Sequence, residues 1–301
     1  MGGKRVNAEN GLCVQDVRIR YFAYNCLEIK LPDGKTLVID PCLRKDGRYA
    51  CGYGPDVLEG CDYVLINHTH LDHVASLGDV YDRFHPIVMA HAATVMELAE
   101  FYDIPYIKMV PFTDGDVFDY GSFRVEILRA RHNPAKMFMV RPSGRVDETA
   151  EDRLVNGALQ EWNEREKRLF HLGSAFNSNF LLTLPNNLRL GLFAGNPGMA
   201  EPEDRNLWRG LHPDILFAHR APVRYENWAE RMAENLAVTG ARLMIPIHLE
   251  DAFLKTIDPQ DYAAQINRVC DQRGIAGRAF CMERAKWYDF YTGICPTPDK
   301  R

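Results

Sequence analysis

Short runs of β-branched and aromatic residues, separated by turn signals, set the rhythm of this chain. Val17 to Tyr24, Cys26 to Lys30 and Leu37 to Asp40 read as strands, with Pro32-Asp33-Gly34 as the turn between the last two. Cys61 to Asn67 (CDYVLIN) reads as a buried strand. A helix follows near Ala92 to Tyr102, then strands near Ile107 to Val110 and Phe123 to Arg129. The second half repeats the style. Phe180 to Thr183, Arg189 to Phe193, Ile215 to Ala218 and Leu243 to Ile247 read as strands, and helices fall near Glu226 to Val238 and Gln260 to Arg273. Such alternation predicts one layered α/β domain spanning residues 1–301.

Between the halves, about residues 133–173, the composition changes. The core of this insertion, Thr149 to Phe170, puts Leu154, Ala158, Leu159 and Trp162 on one face and charges on the other. Thr149-x-x-Asp152 has the form of a capping box at its start. A helical insertion of this kind serves either as a surface helix packed on the scaffold or as a lid or dimer contact; both readings stay open.

Bulk composition narrows the functional classes. With 46% hydrophobic and 26% charged residues in 301, the chain has enough apolar material for a core and is not disordered. Thirty-six basic against forty-one acidic side chains give a net charge of −5, which argues against a nucleic-acid partner. No apolar run reaches membrane-spanning length and no signal-peptide pattern opens the chain, so a cytoplasmic protein without a membrane partner is expected. The eight cysteines form no C-x-x-C and sit mostly among apolar neighbours, the pattern of reduced, buried thiols.

The concentrated chemistry lies in Asn67-His68-Thr69-His70-Leu71-Asp72-His73, directly after a buried strand. Imidazole and carboxylate are the donors that borderline divalent metals prefer. A loop leaving a strand end can turn successive side chains toward one point, which neither a straight strand nor a short helix is expected to do for all four.

His68-x-His70-x-Asp72-His73 resembles the signature of the metallo-β-lactamase superfamily. The resemblance implies an αββα sandwich, two mixed sheets flanked by helices, with metal at the sheet edge. It extends to Arg129-Ala130-Arg131-His132 and Met244-Ile245-Pro246-Ile247-His248, each with a histidine after a strand, and to Leu37-Val38-Ile39-Asp40-Pro41. What it implies is that His68, His70 and His132 hold one ion, that Asp72, His73 and His248 hold a second, and that Asp40 supports the metal loop from behind. At the bridging position, where the family has Gly-Asp, this chain has Gly195-Asn196. Asn196 brings no charge, which predicts a weaker second site. One or two divalent ions are expected, zinc first, with manganese or iron as alternatives. Tyr21-Phe22 through Asp40-Pro41, with Pro246-Ile247-His248, look most like the ascorbate-6-phosphate lactonase-like branch.

The activity implied is hydrolysis of a small molecule (a lactone or other cyclic ester, an amide or a phosphoester) by metal-activated water, with Asp72 orienting the water or moving its proton. The alternatives are a mononuclear iron-dependent thiol or sulfur oxygenase on the same fold, and a non-catalytic metal-binding module. His219 and Arg220 directly follow a strand, and Arg220 could hold an anionic substrate bidentately, with Tyr225, Arg224 and His171 as further candidates for the wall. A salt bridge on a loop is the plainer role for Arg220. His85 and His212 precede prolines and read as turn residues, His91 as the start of a helical stretch, and Asn177 and Asn179 as turn residues or oxyanion-stabilising amides. Oligomeric state is left open, a homo-oligomer included.

Overall fold

The computed structural model describes residues 5–7, 11–130, 162–194, 202–221, 227–249 and 258–292. Two sheets lie face to face. The first runs β1 (Arg5–Asn7), β2 (Gly11–Tyr21), β3 (Leu27–Lys30), β4 (Thr36–Ile39), β5 (Tyr63–Leu65), β6 (Ile87–His91) and β7 (Met109–Phe112) in spatial order. The last strand in sequence, β15 (Trp287–Thr292), pairs antiparallel with β2. The second sheet places β8 (Val117–Asp119), β9 (Arg124–Ala130), β10 (Asn177–Thr183), β11 (Arg189–Phe193), β12 (Ile215–His219), β13 (Leu243–Ile247) and β14 (Arg278–Ala279) side by side. Both sheets are mixed: β4 to β7 and β11 to β14 run parallel, and the hairpins are antiparallel.

The period of two along each strand builds the layers. Ile215 and Phe217 of β12 enter the core between the sheets, beside Ile245 and Ile247 of β13 and opposite Leu37, Ile39 and Leu65 of the first sheet. Leu216 and Ala218, on the other face, pack with α6 (Trp228–Thr239) and α7 (Pro259–Arg273). On the far side of the first sheet, Val38, Val64 and Val88 pack beneath α2 (Leu77–Phe84), α3 (Val95–Tyr102) and α4 (Glu164–Ala175). The four-residue α1 (Leu71–Val74) and α5 (Pro202–Trp208) complete the described helices. This is the αββα sandwich. Among the described residues no helix is long and apolar enough to cross a membrane.

Several local expectations are corrected. Residues 106–108 form a 3-10 turn, so the strand expected from Ile107 begins at Met109. His91 ends β6 rather than opening a helix, because α3 starts only at Val95. A helix of the insertion starts at Glu164. Asn163 has a non-helical backbone and its side chain accepts from the N–H groups of Arg165 (3.0 Å) and Glu166 (2.9 Å), while the Glu166 carboxylate accepts from Asn163 N. That reciprocal cap fixes an N-terminus at this point, so no continuous helix runs from Thr149 to Phe170, and α4 continues to Ala175. Thr149-x-x-Asp152 lies outside the described residues. Asn177 and Asn179 are buried strand residues of β10, not turn residues. His85 and His212 do occupy turns, with φ of 50° and 47°.

Candidate metal centre

The centre forms where β4 and β5 end side by side. Asp40, the first residue past β4, adopts φ 43° while its N–H still bonds Leu65 O at 3.0 Å. That left-handed turn sends the carboxylate toward the loop after β5, where Oδ1 accepts from Asn67 N (2.7 Å) and Oδ2 meets His73 Nδ1 (2.8 Å). Burial pushes the Asp40 carboxyl up, with His73 and the Asn67 N–H pulling the other way. An ionised Asp40 carboxylate only accepts, so His73 donates from Nδ1 and its Nε2 is the ring nitrogen turned toward Asp72. Asn67 also ties the two sheets together: its Nδ2 donates to Ser178 O (2.7 Å) and its carbonyl accepts from Ser178 N (3.0 Å).

His68 and His70 lie on the chain approaching α1, with His70 as its N-cap, and Asp72 and His73 lie within α1. The short helix thus supplies two of the four clustered groups, and the chain leading into it supplies the other two. The ring centroids of His68 and His73 are 3.8 Å apart, and those of His68 and His70 4.6 Å. His248, one residue past β13, has φ 64° and donates its N–H to Tyr24 O at 2.7 Å. Its Nε2 is 3.0 Å from Asp72 Oδ2, which is itself 3.8 Å from His73 Nε2. Asp72, His73 and His248 offer donor atoms that all lie within 4.8 Å of one another. Burial raises the Asp72 carboxyl, but His73, the bond from His248 and the nearby His70 outweigh it and hold the group well below its ordinary range.

These residues fit a divalent cation. An ionised carboxylate and the imidazole nitrogens of His73 and His248 converge on one small space, and His73 has the carboxylate behind it that metal-binding histidines typically have. Asp40, His68, His70, Asp72, His73 and His248 are thus brought together. His219 joins them, its ring 4.2 Å from that of His248. Arg220, next along the chain, is 1% exposed, and its Nε and Nη2 meet no hydrogen-bond acceptor among the described residues. Among the described residues it forms no salt bridge. His171 is exposed on α4. His132, Asn196, Arg224 and Tyr225 lie outside the described residues.

Sequence reasoning passed over four neighbours of this centre. Tyr24 packs edge-on to His248 at 5.3 Å, and burial together with Asp72 raises the nearby Tyr49 hydroxyl. Phe170 stacks on His70, and Ser174 Oγ lies 2.9 Å from His70 Nε2. Only the Gly173-Ser174 pair inside a helix, where glycine costs stability without a packing reason, could have been a signal.

A profile of the beta-lactamase superfamily domain matches residues 18–183. The chain belongs to the metallo-β-lactamase superfamily. Among solved structures, it is similar to Igni18, a metallo hydrolase from Ignicoccus hospitalis, at 13% identity and TM-score 0.62, over 92% of this chain and 99% of that one. An isothiocyanate hydrolase from Delia radicum gut bacteria aligns at 12% identity and TM-score 0.57, over 91% and 99%. CmlA, a diiron β-hydroxylase from Streptomyces venezuelae, aligns at 14% identity and TM-score 0.56, over 92% of this chain and 54% of that one. At such identities the likeness is one of fold. No curated protein matches the sequence.

Proposed function

We propose that this superfamily member is a metal-dependent hydrolase acting on a small anionic molecule. The observation that carries the reading is the meeting of Asp72, His73 and His248 within 4.8 Å, with His73 oriented by Asp40. In this reading His68, His70 and His132 hold one ion and Asp72, His73 and His248 a second, with Asn196 between them. A divalent ion there supplies Lewis acidity and acidifies a water at neutral pH. Asp72, ionised and 18% exposed, is placed to take that water's proton and to orient it. Zinc is the first candidate, manganese and iron the alternatives, and the neutral Asn196 favours one tightly held ion per chain.

Arg220 supports the anionic substrate. Among the described residues no carboxylate pairs with this buried guanidinium, whose desolvation is costly, and Nε with Nη2 forms the edge of the fork that grips an oxyanion through two parallel bonds. We assign it, with His219 and Tyr225, to the substrate. The scissile bond in this reading is a lactone, as in the lactonase-like branch, an amide or a phosphoester. Six described cysteines are buried and free, which favours a reducing compartment such as the cytoplasm.

The test is a panel of carboxylated and phosphorylated esters, lactones and amides, assayed before and after chelation. Activity lost with chelator and restored by zinc or manganese is expected; full activity in metal-depleted protein overturns the proposal. Arg220→Gln is expected to raise KM for anionic substrates about tenfold to a hundredfold, with neutral analogues unaffected. The uncharged Asn196 and the diiron CmlA on the same fold favour a second reading, an iron-dependent thiol oxygenase. Oxygen uptake with small thiols by iron-loaded protein, and no hydrolysis by any metal form, would select it.

A further inference from the structure

We infer that Ser174 is a positioning residue that fixes which nitrogen of His70 faces the metal, so that a helix at the end of the insertion sets the geometry of the centre. The inference rests on His70 being a ligand in the reading above. Four contacts bind α4 to the histidine loop. A Cβ on Gly173 would stand 2.8 Å from His70 N and Cδ2 and 2.9 Å from Thr69 N, so the helix backbone lies directly on that loop and only glycine fits. Thr69 Oγ1 donates to Leu169 O at 2.6 Å. The Phe170 ring stacks on the His70 ring at 4.2 Å and 11°, and Trp162 braces Phe170 edge-on at 5.1 Å. Ser174 Oγ then lies 2.9 Å from His70 Nε2.

The direction of that last bond follows from a proton count. A serine hydroxyl has one proton. Ser174 spends it on Phe170 O, one helical turn back, at 3.0 Å. With its proton there it accepts from His70, which places the neutral His70 proton on Nε2 and makes Nδ1 the coordinating atom in this reading. His73 is fixed the opposite way, proton on Nδ1 toward Asp40 and lone pair on Nε2. Two histidines three residues apart therefore present different ring atoms. Loss of the serine acceptor removes the hydrogen bond that holds the proton on Nε2.

The experiment uses metal-free, 15N-labelled full-length protein at a pH above the imidazole range, with long-range 1H–15N correlation to read each tautomer. His70 is expected as the Nε2–H form. Ser174→Ala is expected to give a mixture of tautomers, Ser174→Thr to restore the single form, and His73 to stay Nδ1–H in all three. Zinc affinity, measured by competition with a chromophoric chelator, should fall about tenfold in Ser174→Ala and recover in Ser174→Thr. A wild-type His70 in the Nδ1–H form overturns the inference, as does an unchanged tautomer or zinc affinity in Ser174→Ala. Protein that shows the expected tautomers and affinities but hydrolyses nothing supports the inference and tells against the hydrolase reading alone.

Discussion

His73 and His70 stand three residues apart and are gripped by different chemistry. His73 leans on Asp40, a fully buried carboxylate at the end of β4, whose position follows from strand pairing in the first sheet. His70 leans on a neutral hydroxyl and an aromatic face supplied by α4. A charge-assisted bond is roughly twice as strong as a neutral one. The scaffold side is therefore the stronger grip, and the insertion side the one that sequence change can retune without disturbing the sheets.

Two variants put this contrast under strain, and a third serves as a control. Asp40→Asn should do the most damage, because Asn67 N–H and His73 Nδ1 both lose a charged acceptor in a buried site. A loss of about 2–3 kcal/mol in unfolding free energy and about tenfold to a hundredfold weaker metal binding are expected from denaturation curves and chelator competition. Near wild-type values for both would remove the asymmetry between the two grips. Gly173→Ala comes next. Its methyl group meets backbone at 2.8–2.9 Å, so α4 must shift, at a cost of about 1–3 kcal/mol. The sharpening outcome is a drop in metal affinity with His73 still Nδ1–H.

The smallest effect concerns Glu28, which lies outside both grips and serves as a control. Burial pushes its carboxyl above the ordinary 4.5, although Arg20 and the Glu59 N–H pull it down. A folded value above the unfolded one means that its contribution is present below about pH 4.5 and is lost as pH rises through the folded value. Wild-type stability relative to Glu28→Gln should therefore fall between pH 4 and pH 7 in denaturation curves, with metal affinity unchanged. A rise over that range would contradict the assigned direction.

Parts of this fold were legible along the chain. β11 and β13 have the expected boundaries, and β13 is an unbroken apolar run. The aromatic run of β15 and the apolar spacing at Leu77, Val80, Tyr81 and Phe84 of α2 were readable and overlooked. β8 and β14, with three and two residues, are too short for any periodicity to show. Asn177 and Asn179 looked like turn residues because polarity alone does not say which sheet edge is buried.

What the sequence by itself determined is the local chemistry: strand and helix periods, and a six-residue stretch dense in metal-donor side chains. Only the tertiary structure decided which donors meet and which of their atoms are free. His248 reaches Asp72 across 176 residues, and Ser174 reaches His70 across 104. Such pairings follow from strand order and helix docking, and a ring nitrogen becomes donor or acceptor only when its partner has arrived. Proton positions are therefore set by contacts in space, which spacing along a chain does not encode.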